Sequence, residues 1–144
     1  MTNLPSGLPE TIQDNEPIAR FLTQSNYFKK DRIDPSAFLP SPRDKETSVS
    51  RHDREPIQAL KSLGATVANA SNRTLYGAAI ISGKDVLRAS LQITADEPPD
   101  RHAVIRGWFW SDSDPRQQKA LQKEKALILA GAAGAPILFG ENQP

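Results

Sequence analysis

Proline is spread unevenly along this chain, and that asymmetry limits what its two parts can fold into. Seven of the twelve prolines lie at or before position 56, where about 27% of residues are apolar; the rest is about 44% apolar and holds seven of the eight glycines. A stretch with many fixed φ angles and few apolar groups cannot close a core by itself. The core-forming unit is therefore expected over residues 46–140, as an α+β domain. Residues 17–45 read as an irregular proline-rich arm packed on it, since Ile18, Phe21, Leu22, Tyr27, Phe28, Ile33, Phe38 and Leu39 are costly to leave in water. Residues 1–16 lack periodicity and read as disordered, and 141–144 as a frayed tail.

Within the domain the text alternates between short strands and helices. Thr47 to Arg51 reads as a strand. A helix follows, with Asp53 or Glu55 as cap, Pro56 in its first turn, Ile57, Leu60 and Leu63 as its stripe, and Gly64 as its stop. Thr74 to Ile81 is a strand in which Gly77 marks a bulge or a close backbone approach. Ser82 caps a short helix bearing Val86 and Leu87, and Leu91 to Thr94 is another strand. After the break at Glu97-Pro98-Pro99-Asp100, residues 102–110 form the strongest strand candidate, rich in Val, Ile, Trp and Phe. Asp112 to Asp114 and Pro115 open a helix expected over 115–131, and 136–139 close the domain as a strand. Such irregular alternation predicts one compact α+β domain with a mainly antiparallel sheet and two or three helices.

Charge and composition exclude several classes. With 144 residues there is room for one domain, and the net charge of +1 gives no electrostatic funnel for nucleic acid. The absence of cysteine removes disulfides, thiolate metal sites and a catalytic thiol, and two histidines do not make a metal cage. No metal or cofactor is expected. No apolar run approaches the roughly 20 residues that cross a bilayer, and Met1-Thr2-Asn3-Leu4-Pro5 lacks a signal-peptide pattern, so a cytoplasmic setting without membrane attachment is expected. His52-Asp53 lacks the further histidine of a metal phosphohydrolase, and no His-Glu-x-x-His, glycine-rich phosphate loop or Gly-x-Ser-x-Gly elbow occurs. Pro99-Asp100 with Gln117-Gln118-Lys119 imitates a nuclease pattern, but Lys119 belongs to a helix.

Three groups of residues remain as candidates. His102 opens a strand directly after a loop, a place from which imidazole can move protons; Glu124 lies in an apolar helical stripe of Ala120, Leu121, Leu127 and Ile128. As an acid or base Glu124 would face Arg101, His102 or Arg106; otherwise it is a structural ion pair. Arg51, Arg73 and Arg101 flank strands, and if they converge near Ser48 or Ser50, Tyr76 and His102 they form an anion pocket for a nucleotide, an RNA end or a phosphorylated metabolite. The alternative scatters them as edge charges. Trp108 and Trp110 share one face of the expected strand and suit a core wall or a contact with a partner or second copy.

The segments Thr47-Ser48-Val49-Ser50-Arg51, Arg73-Thr74-Leu75-Tyr76-Gly77 and Pro98 to Trp108 together resemble a group of small bacterial proteins. In that group a Ser-Val-x-Arg strand precedes a His-Ala-x-Ile-x-Gly segment and a lysine-rich helix. The resemblance spans roughly residues 47–130; it implies a bacterial or phage cytoplasmic setting and carries no activity. Without a complete catalytic constellation, the sequence favours a non-enzymatic accessory protein that contacts an unidentified protein partner. The competing reading is an enzyme or binding protein for a phosphate-bearing ligand.

Overall fold

Six consecutive residues of the expected arm, Pro17–Leu22 (β1), form a strand near the centre of the main sheet. The computed structural model describes residues 4–52 and 56–139. After β1 come a 3-10 turn at Ser25–Tyr27, a two-residue hairpin of Phe28–Lys29 (β2) and Arg32–Ile33 (β3), and a second 3-10 turn at Pro35–Phe38. The domain continues through Thr47–Arg51 (β4), Ile57–Ala70 (α1), Gly77–Ser82 (β5), Gly83–Arg88 (α2), Gln92–Ala95 (β6), His102–Arg106 (β7), Pro115–Ala133 (α3) and Ile137–Leu138 (β8). The result is a single α+β unit whose six-stranded antiparallel sheet runs β6-β7-β4-β1-β5-β8.

The central place of β1 explains its text. Ile18 and Leu22 join the core on one side of the sheet, Ala19 and Phe21 the core on the other, so the strand reads as a nearly continuous apolar run. The proline-rich surroundings conceal it from compositional reading. Residues 4–16, assigned to disorder by composition, lie against the sheet: Leu8 is buried, and Pro9 and Glu16 hold Arg51.

Local signals account for most other elements, and their failures are informative. Ser82 and Asp85 form a reciprocal capping box, and Asp114 caps α3 at the Gln117 N–H. Gly77 is a close approach, since a Cβ there would stand 2.2 Å from the Ile137 carbonyl oxygen. Gly64 does not end α1. The helix continues to Ala70, and the missing side chain makes room for the Phe21 ring, 2.7 Å from where a Cβ would stand. The expected caps Asp53 and Glu55 lie outside the described residues, as do the tail residues 141–144, and Pro56 occupies the cap position without a side-chain bond. Strand β7 stops at Arg106 because Gly107 takes φ 97°, so the tryptophans do not alternate on a strand.

The two faces of the sheet are covered unequally. On one side Ala126, Leu129 and Ala130 of α3 close over Ile18, Leu22, Ala79, Ile81, Ala103 and Ile105. On the other side α1 sets Leu60, Leu63 and Val67 against Ala19, Phe21 and Ala78, at the β1-β5-β8 end. That apolar cluster does not extend over β4 and β7, where this face carries Ser48, Ser50 and His102. A groove is left there.

Candidate functional site

Register alone brings three polar side chains together on the uncovered face. Ser50 of β4 pairs with His102 of β7, so Ser48 stands diagonally across from the imidazole. On the other flank, Ala95 pairs with Ala103, and the Asp96 N–H donates to the His102 carbonyl at the base of the following loop. His102 and Ser48 thus stand on adjacent strands, β7 and β4, and Asp96 stands just past the end of β6 beside them. The contacts are direct: Ser48 Oγ lies 2.8 Å from His102 Nε2, and Asp96 Oδ2 lies 3.1 Å from His102 Nδ1. The Asp96 carbonyl oxygen is also 3.1 Å from Nδ1. Both partners of Nδ1 are pure acceptors, so that nitrogen carries the proton. In the neutral ring the Nε2 lone pair then faces the Ser48 hydroxyl, which donates to it.

Ser48 and His102 line a groove of about 770 Å3, which also receives Arg20, Tyr27, Arg43 and Arg73 and the acidic Asp44, Glu46 and Asp100. This volume falls within the roughly 300–1,000 Å3 of small-molecule sites. Arg20 bridges the gap where β1 and β4 part beyond the Ala19–Ser50 pair, with Nε donating to the Ala37 carbonyl at 2.6 Å and Nη1 to the Ser48 carbonyl at 2.9 Å. Its guanidinium lies 5.5 Å from the Tyr27 ring centroid. Burial lowers the Arg20 pKa from its ordinary value; Tyr27 opposes the shift, by charge and by hydrogen bond, and the like charge of Arg73 adds to it.

The expected convergence of arginines is met only in part. Arg73 is exposed and lines the groove with His102. Arg51 does not. It is fully buried and gives a bidentate pair to Glu16, at 2.9 Å from Nη2 to Oε1 with a second contact from Nε to Oε2, and Nη1 donates to the Pro9 carbonyl at 2.6 Å. Its fork is already filled. Tyr76 is absent from the groove and stacks at 51° on Phe28, 5.7 Å between centroids. Arg101, with φ 63°, lines a separate cavity of about 320 Å3 together with Arg51, His52, Leu60 and Asp100.

The remaining candidates fall elsewhere. Glu124 is exposed, because the buried face of α3 is Gln122, Ala126, Leu129 and Ala130 rather than the stripe containing Leu127 and Ile128. Both bulky residues are exposed, at 52% and 43%, and the face that meets the sheet uses small side chains instead. Of Glu124's expected partners, Arg106 pairs with Glu46 and His102 with Asp96. Trp108 is buried, and its indole N–H donates to the Ile105 carbonyl at 3.2 Å. Trp110 is half-buried beneath Lys45, whose Nζ lies 5.6 Å from the ring centroid.

Sequence reasoning missed Asp96 and Arg20. Asp96 could have been found as the acid that faces His102 across the Pro98-Pro99 break; Arg20 was hidden by the assignment of its strand to an arm. Among the described residues, no group of three or more His, Asp and Glu is arranged to hold a metal ion, and no helix is long and apolar enough to cross a membrane. No family model, curated protein or solved structure matches the chain.

Proposed function

We propose that the groove on the uncovered sheet face binds a phosphate-bearing small molecule. The observation that carries this reading is that Arg20, which donates to two backbone carbonyls, lines the same groove as the exposed Arg73. A dianion between two guanidinium groups pairs with both, and the planar arginine fork suits phosphate. Ser48 and His102 add hydroxyl and imidazole groups at the same groove, enough to orient a polar ligand.

Recognition of a protein partner through Trp108 and Trp110 has less support, since the first is buried and the second lies under Lys45. The resemblance of residues 47–130 supports a bacterial or phage cytoplasmic setting for this binding role. Thermal unfolding with a panel of nucleoside monophosphates, sugar phosphates and inorganic pyrophosphate tests the reading. A ligand at a hundred times its Kd adds about 2.7 kcal/mol, which raises Tm by several degrees in a chain of this size. The rise is expected to disappear in Arg73→Ala, whose own fold is intact because the side chain is exposed. A panel that moves nothing, or a rise that survives Arg73→Ala, contradicts the proposal.

A further inference from the structure

We propose that Ser48, His102 and Asp96 form a hydrolytic relay in which Ser48 is the nucleophile and the substrate is a carboxylic ester with an anionic tail. The choice of tail rests on the anion-binding reading of the same groove; the relay itself does not.

The argument is geometric. A serine hydroxyl is a weak nucleophile unless a base stands within hydrogen-bond reach and a third group fixes the base in the right tautomer. Here the hydroxyl-to-imidazole distance is 2.8 Å, the Nδ1–H donates to the Asp96 carbonyl at 3.1 Å, and the Asp96 carboxylate oxygen lies 3.1 Å from the same nitrogen. Ser48 is exposed on β4, so an ester can reach its oxygen. The backbone supports the arrangement, because Asp96 and His102 close the loop between β6 and β7 through the Asp96 N–H to His102 carbonyl bond of 2.8 Å. The Arg20 Nη1, bonded to the carbonyl of Ser48 itself, adds positive charge beside a site where an oxyanion develops.

In the first half-reaction Ser48 Oγ bonds to the ester carbonyl carbon while its proton passes to His102 Nε2. The tetrahedral intermediate collapses, the bond to the alcohol oxygen breaks, and that oxygen takes the proton from Nε2. In the second, water attacks the acyl carbon and gives a proton to Nε2; the acyl bond to Ser48 breaks, and Nε2 returns the proton to Oγ. Ester and water become acid and alcohol, with no other reactant. Asp96 touches no reacting atom and is a positioning residue.

The full chain is incubated with a fluorophosphonate probe and mapped by mass spectrometry, and hydrolysis of 4-nitrophenyl acetate is compared with that of mono-4-nitrophenyl succinate, whose carboxylate stands in for the phosphate. The expected adduct is on Ser48, absent in Ser48→Ala, with hydrolysis of both esters lost in that variant and reduced about a hundredfold or more in His102→Gln. Asp96→Asn is expected to lower kcat while leaving KM for the acetate ester unchanged, and Asp96→Glu to recover part of kcat. Because the chain lacks cysteine, Ser48→Cys places one thiol in the molecule, and its alkylation by iodoacetamide at neutral pH is expected to slow when His102→Gln is added. No adduct at Ser48, hydrolysis that persists in Ser48→Ala, or a thiol indifferent to His102 overturns the relay. Arg73→Ala separates the two readings. If it raises KM for the succinate ester alone, both stand; if both esters depend on Ser48 and neither on Arg73, the relay stands and the anion reading falls. A phosphate-induced Tm rise lost in Arg73→Ala, with Ser48 unlabelled, leaves the anion reading and removes the relay.

Discussion

Arg51 is fully buried and Arg20 half-buried at the β1–β4 junction, and the two cations are satisfied in opposite ways. Arg51 meets a carboxylate, with Glu16 taking two of its donors and the Pro9 carbonyl a third. Arg20 meets two backbone carbonyls, a tyrosine ring and the repulsion of Arg73. A cation closed off by its own acid is structural, because nothing is left for a ligand to satisfy. A cation whose bonds go to neutral carbonyls at the wall of an open groove has charge to offer. The two faces of the sheet repeat the contrast: one is sealed by α3, and the other is half-covered by α1 and keeps Ser48, Ser50 and His102 beside the groove.

The largest effect is expected from breaking the closed pair. Arg51→Met strands the Glu16 carboxylate and should lower unfolding stability by about 3–5 kcal/mol, measured by urea denaturation. The double variant with Glu16→Leu should recover much of this loss, since a buried pair replaced by apolar groups is often neutral. Hydrogen exchange should report the same event as lost protection over residues 8–16. Next comes the sealed face: Leu129→Ala opens a cavity in a fully buried position and should cost about 2–5 kcal/mol.

A smaller effect is expected at the second 3-10 turn. Asp34 accepts a 2.9 Å bond from the Ser36 N–H, and the Ser36 side chain first, with that N–H second, holds its carboxyl below the ordinary value of 3.8. Asp34→Ala should cost about 1 kcal/mol at neutral pH. Because the folded-state pKa is depressed, the stabilisation is complete above the ordinary carboxylate range and fades as pH falls through the folded value. The wild type and Asp34→Ala should therefore converge in strongly acidic solution. The smallest change is expected on the open face, where Ser48→Ala and Arg73→Ala should alter stability by no more than about 0.5 kcal/mol, as exposed substitutions do. A large loss there would recast the groove residues as structural and erase the contrast.

The sequence made some of this readable and hid the rest for identifiable reasons. Ser82, and Asp114 with Pro115, are local signals, and they located α2 and α3. Strand β1 was not legible, because a central strand buried on both faces has no alternation and Pro17 sits at its start. The helical stripe of α3 misled because Leu127 and Ile128 outweigh Ala126 and Ala130 on any hydrophobicity scale, while close packing against the sheet selects the small residues. His102 was found from its position after the loop. Ser48 was placed near it only as an alternative to Ser50, because it lies 54 residues away and strand order alone brings it within 2.8 Å; Asp96 was not found. Arg51 looked like a ligand arm because nothing in the text reveals that Glu16 folds back on it.

The most direct test of the contrast between the two arginines is the side-chain NMR of the arginine guanidinium groups during titration with inorganic pyrophosphate. The signals of Arg20 and Arg73 are expected to shift together, saturating with one dissociation constant, while those of Arg51 stay fixed. Shifts spread evenly over exposed arginines such as Arg88 and Arg116, or a titration in which Arg51 moves and Arg20 does not, would contradict the account.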